Sequence, residues 1–108
     1  MVIAIDYDET ITDNTPYPEE GKIRPEAVKY IKSLFDKGYT LILWTARKEP
    51  YYSECIERLK KEDLYKYFNF NYESGPSGKI EADFYIDDRS CLGEINWKKI
   101  YNYIIKNI

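Results

Sequence analysis

Val2-Ile3-Ala4-Ile5-Asp6-Tyr7-Asp8-Glu9-Thr10 decides how the rest of the chain reads. Val2 to Ile5 are an unbroken, mostly β-branched apolar run, the pattern of a strand buried on both faces. The run stops at Asp6, and Asp8 follows two residues on. A carboxylate is costly to desolvate unless it is paired or binds a metal. Both acids are therefore expected at the solvent-facing tip of the strand, the carboxyl edge where open α/β sheets place their ligands. The plainer reading of the same residues is a strand running out into an acidic turn.

The same pattern recurs further along. Tyr39 to Trp44 form a second apolar run, ending in Thr45-Ala46-Arg47. Phe84-Tyr85-Ile86 is a third, ending in Asp87-Asp88-Arg89. Between the first two runs, Pro25 suits a first helical turn and Gly38 a C-terminal cap. Val28, Ile31, Leu34 and Phe35 recur there at helical spacing. A strand, a helix and a second strand imply a parallel pair joined by a right-handed crossover, which brings Thr45 to the edge that carries Asp6. Pro50 opens a second helix over roughly Tyr51 to Glu62, with Tyr52, Cys55, Ile56 and Leu59 on one face. A short strand around Phe68 to Phe70 and a turn at Ser74 to Gly78 are expected next. Asn96 caps a closing helix in which Trp97, Ile100, Tyr101, Ile104, Ile105 and Ile108 share a face. That stripe reads as packing.

Length and composition narrow the field. At 108 residues the chain is expected to be one domain, residues 1–108, able to fold without staples. A net charge of −3, with 16 basic and 19 acidic residues and no long run of either sign, argues against a broad nucleic-acid surface. No histidine and two cysteines, Cys55 and Cys91, without a CxxC argue against zinc. Both cysteines read as packing thiols. No stretch approaches the ~20 apolar residues of a membrane span, and no signal peptide is expected before Val2. The expectation is a cytoplasmic protein with no membrane partner.

Paired acids ending two separate strands would repel each other, and a bound cation relieves that repulsion. An acidic, oxygen-only set selects a hard cation, Mg²⁺ above others. With Thr45 and Lys79 added, the set suits a phosphoryl group, and an ionised aspartate can serve as its nucleophile.

In these residues the chain resembles the haloacid dehalogenase (HAD) superfamily of phosphohydrolases. Asp6-Tyr7-Asp8-Glu9-Thr10 looks like its first motif, Thr45 its second, Lys79 its third and Asp87-Asp88 its fourth, in the family's order. The resemblance implies a three-layer, Rossmann-like α/β fold with parallel strand order 3-2-1-4 and helices on both faces. It implies a Mg²⁺-dependent phosphomonoester hydrolase in which Asp6 is the nucleophile. Asp8 acts as acid and then base, which needs a carboxyl group that holds its proton above the ordinary ~3.9. The metal falls to Asp6, the Asp8 backbone carbonyl and one of Asp87 and Asp88, with Asp88 preferred by strand alternation. Thr10, Thr45, Ala46, Arg47 and Lys79 are the substrate-binding set; within it Arg47, like Arg89, is a second-rank candidate beside the motifs, for which a surface or structural role is the plainer reading.

Glu9 departs from the glycine that many members carry there, and Lys79 precedes Asp87 by an unusually short spacing. Neither gap between motifs has room for a cap domain, so the capless members are the better match. Their open sites suit a nucleotide, a sugar phosphate or a phosphorylated nucleic-acid end, or are shielded by a second copy. The rival readings are a receiver-like domain that stores one phosphoryl group and an inactive binding module of the same fold.

Overall fold

The computed structural model describes residues 1–71, 81–88 and 94–107. Lys79, Arg89, Cys91, Ile108 and the turn at 74–78 lie outside these residues.

Three strands form one parallel sheet: β1 (Val2–Ile5), β2 (Thr40–Leu43) and β3 (Phe84–Ile86), in the order β2-β1-β3. The register sets Ile3 beside Leu41 and Phe84, and Ile5 beside Leu43 and Ile86. Side chains alternate along a strand, so these six share one face. Three helices follow in sequence: α1 (Pro25–Asp36), α2 (Tyr51–Lys61) and α3 (Trp97–Lys106). Ala27, Ile31 and Leu34 of α1, Cys55 and Leu59 of α2, and Trp97 and Ile104 of α3 join that face in one apolar cluster.

Helices on both faces were expected. Among the described residues all three α-helices contribute instead to the cluster on this one face. From β1 to β2 and on to Phe68, which bridges Leu41 on the far side of β2, the chain steps in one direction, and right-handed crossovers then lay α1 and α2 on the same side. α3 then returns against α1, where Tyr30 and Tyr101 pack with ring centroids 5.0 Å apart.

The strand expected at Phe68–Phe70 is reduced, among the described residues, to one parallel bridge between Phe68 and Leu41. The Asn69 amide completes it with a 2.8 Å hydrogen bond to the Leu41 carbonyl. Among the described residues three strands are thus present where four were expected, although the bridge lies on the predicted side of β2. A 3₁₀ turn at Tyr65–Tyr67 precedes it.

The helices start and stop as their sequences suggest. Pro25 opens α1, and Gly38 follows its end at φ +90, a conformation that an L side chain resists. Asn96 caps α3 by accepting a hydrogen bond from the Lys99 amide. The buried stripe of α1 is rotated from the expected one, however. Val28 and Phe35 are 36% and 44% exposed, and Ala27 takes the inward place. Phe35 packs instead on Tyr67 at the margin of the core.

Residues 9–22 form a pinned strap. Thr12 and Ile23 make an antiparallel bridge, flanked by the Asp13 amide on the Lys22 carbonyl and the Arg24 amide on the Ile11 carbonyl. Gly21 permits this fold, because a Cβ there would sit 2.1 Å from Asp13 Oδ1.

Candidate functional site

The parallel register carries the polar strand ends to one edge. The Asp6 amide donates to the Ile86 carbonyl at 2.9 Å, and the Trp44 amide donates to the Ile5 carbonyl at 2.9 Å. Asp6, Thr45 and the Asp87-Asp88 pair therefore leave the sheet together. They line a cleft of about 420 Å³ with Asp8, Glu9, Tyr17, Trp44, Ala46 and Arg47.

Within the cleft, Asp6, Asp87 and Asp88 each offer a carboxylate oxygen, all within 4.8 Å of one another. The expectation that only one of the last pair would reach the metal rested on strand alternation. β3 ends at Ile86 and Asp88 lies in a turn, so alternation does not separate the two acids. Burial is the largest influence on Asp6 and pushes its carboxyl group up to about 7. A hydrogen bond from the Tyr7 backbone opposes the rise, while the charges of Asp87, Asp88 and Asp8 add to it. Such a group of oxygens, crowded and partly dehydrated, fits a small hard cation that would neutralise it.

Asp8 behaves differently. Its carboxylate lies outside that trio, gripped by Arg47 from across the cleft. Arg47 Nε donates to Oδ2 at 2.8 Å and Nη2 to Oδ1 at 2.6 Å. The bidentate geometry is that of an ionised carboxylate accepting two charge-assisted bonds. Arg47, proposed from sequence as a substrate contact, thus spends its guanidinium on another site residue. Its side chain is fully buried. Burial lowers its proton affinity, but the hydrogen bond and charge of Asp8, with Glu20 and Tyr7, more than offset this, and the net shift is upward.

The remaining residues support this arrangement. Thr45 Oγ accepts from the Arg47 amide at 3.2 Å, which leaves its own proton for a ligand oxygen. Thr10 is completely buried and donates a long 3.4 Å bond to Asp6 Oδ2, so it orients the acid more than it faces the cleft. Ala46 lines the cleft as expected.

Several contributors were not singled out from sequence. Trp97 in α3 donates from Nε1 to the Thr10 carbonyl at 3.0 Å, fastening the closing helix to the loop after β1. Tyr7 is buried and its hydroxyl makes a short hydrogen bond to Glu20 of the strap. Tyr17 and Trp44, 46% and 40% exposed, form aromatic walls. Glu9 lines the cleft from a backbone at φ 58, a left-handed conformation that glycine adopts at less cost. Only Glu9 carried a signal, as the odd residue in the first motif.

No family model and no curated protein matches the chain. A solved structure, that of a conserved protein from Bacteroides thetaiotaomicron, is similar with a TM-score of 0.84 and 37% identity. The match covers 100% of this chain and 92% of that one. The chain therefore belongs to the same family as that conserved Bacteroides thetaiotaomicron protein.

Proposed function

We propose that the protein is a Mg²⁺-dependent phosphomonoester hydrolase of the HAD type, working through an aspartyl-phosphate. The observation that carries this reading is the meeting of Asp6, Asp87 and Asp88 within 4.8 Å at the carboxyl edge of a parallel sheet. These three carboxylates would hold the cation, which supplies charge neutralisation for the phosphoryl oxygens.

The chain's own residues account for the rest. A free oxygen of Asp6 attacks phosphorus, and the bond from phosphorus to the leaving oxygen breaks. Asp8 would serve that oxygen as proton donor only after taking up a proton and giving up one of its two bonds to Arg47, because in the bidentate pair both of its oxygens accept. In the second half Asp8 takes a proton from water as the water attacks phosphorus, releasing phosphate and restoring Asp6. Thr45 donates to a phosphoryl oxygen, and Lys79 adds positive charge as the third motif of the resemblance.

The full HAD arrangement would add Phe68–Phe70 as an outer strand beside β2, giving the order 3-2-1-4, and a covered second sheet face. The Leu41–Phe68 bridge supports the first of these. Among the described residues no helix is long and apolar enough to cross a membrane. An open cleft with aromatic walls suits nucleotides, sugar phosphates or phosphorylated nucleic-acid ends, and a second copy could shield it.

The test is phosphate release from an aryl phosphate with Mg²⁺ and with chelator. Repeated turnover that stops on chelation is expected. Release limited to one equivalent favours the receiver-like alternative, and turnover indifferent to chelation contradicts the proposal.

A further inference from the structure

Arg47 is the one charged residue that is buried among the described residues. Its side chain is fully buried, its Nη1 has no hydrogen-bond partner among the described residues, and its Cζ lies 5.2 Å from the ring centroids of both Tyr7 and Tyr17. Burying a guanidinium against a partly buried carboxylate rarely adds stability over a well-packed apolar pair, so stability alone does not explain it. The partners of Arg47 are more informative. Nε and Nη2 take both oxygens of Asp8, and Nη2 also donates to the Glu19 carbonyl of the strap at 3.2 Å. The next strap residue, Glu20, accepts from the hydroxyl of Tyr7, which stands between the two acids of the first motif. Glu20 also lies 3.9 Å from Arg58 of α2.

We propose that Arg47 is a positioning residue that locks the Asp8 carboxylate and the strap at Glu19 into one unit, so that the strap's place and the orientation of the acid–base group depend on each other. This deepens, and for its catalytic part rests on, the phosphohydrolase reading. A planar guanidinium fixes both the rotation and the tilt of a carboxylate, which a single-point ammonium cannot do. The same nitrogen that grips Asp8 Oδ1 also holds the strap backbone, so opening the strap removes one of the constraints on the fork.

Two measurements on the full chain test the proposal. The first is a double-mutant cycle with Mg²⁺ and an aryl phosphate. Arg47→Met is expected to lower kcat about tenfold or more with KM little changed, a fraction of what acid–base catalysis contributes. The same substitution in an Asp8→Asn background should cost almost nothing, because residues acting as a unit are not additive. Arg47→Lys, which keeps the charge and serves if the Met variant does not fold, should show the same non-additivity at smaller size. An equal fold-loss in both backgrounds overturns the proposal.

The second measurement is amide exchange over residues 13–22. It should accelerate in Arg47→Met and also in Asp8→Ala, since the Asp8 side chain, among the described residues, hydrogen-bonds to Arg47 and not to residues 13–22. Exchange unchanged in Asp8→Ala overturns the coupling even if catalysis falls. Were the wild type to release no phosphate, the phosphohydrolase reading would fail separately, and exchange alone would decide whether the clamp exists.

Discussion

At the scale of single residues, Asp6 and Asp8 begin alike in the sequence and end in opposite surroundings. Asp6 is drawn among other carboxylates and raised to about 7, mainly by burial. An acid whose folded value lies above its unfolded one binds more protons when folded. The fold thus loses stability as pH rises from about 4 to about 7. In chelator at pH 8, Asp6→Asn should therefore melt several degrees above the wild type, and the gap should close near pH 4; ~1 kcal/mol moves the melting point of a domain this size by roughly 4 °C or more. A wild type that melts higher than Asp6→Asn at pH 8 without metal contradicts the crowding argument. Asp8→Asn should spare aryl phosphates, whose leaving group needs little protonation, relative to alkyl phosphates. A steady-state comparison of both esters checks this, and equal losses count against Asp8 as the acid. The acids themselves were legible, because each interrupts an apolar run. The partner of Asp8 was not, since nothing in Thr45-Ala46-Arg47 says that a side chain 39 positions away reaches back across the cleft.

At the scale of elements, the strand tips could be read from sequence and the helix faces only partly. Three apolar runs that each stop at a polar residue determine which ends face solvent, and the parallel pairing then gathers those ends. A helical stripe is softer information. In α1 the sequence offered Val28 and Phe35 as readily as Ala27, and only packing against α3 and the 3₁₀ turn rotates the helix toward the smaller residue. The Phe68–Phe70 strand shrank for a related reason. Its aromatic rings pack on one another, Tyr65 with Phe70 at 4.5 Å and Phe68 with Phe70 at 6.2 Å, and one ladder bond suffices there. α3 looked purely structural, yet Trp97 holds the carbonyl of Thr10. Trp97→Phe leaves that buried oxygen without its donor and should cost about 1–3 kcal/mol, read from denaturant unfolding. It should also lower phosphatase turnover through the loop it fastens. Asn96→Ala, which loses only the cap, should cost ~1 kcal/mol and leave turnover unchanged. Equal effects of the two on turnover would remove α3 from the account of the site.

For the whole molecule, the topology does the assembling. β1 lies at the centre, so residues from the start of the chain meet residues from position 45 and position 87 at one edge. Such a concentration of negative charge is tolerable in a chain of net charge −3 when a divalent cation is shared among it. Saturating Mg²⁺ should accordingly raise stability at neutral pH, by about 2.7 kcal/mol at a hundredfold excess over the dissociation constant. Asp88→Asn should abolish most of that gain. The most direct measurement is anomalous diffraction from crystals soaked in Mn²⁺ as a stand-in for Mg²⁺. One peak per chain, bonded to carboxylate oxygens of Asp6, Asp87 and Asp88 and not to the Asp8 side chain, is the predicted result. A peak elsewhere, or none at saturating Mn²⁺, contradicts it.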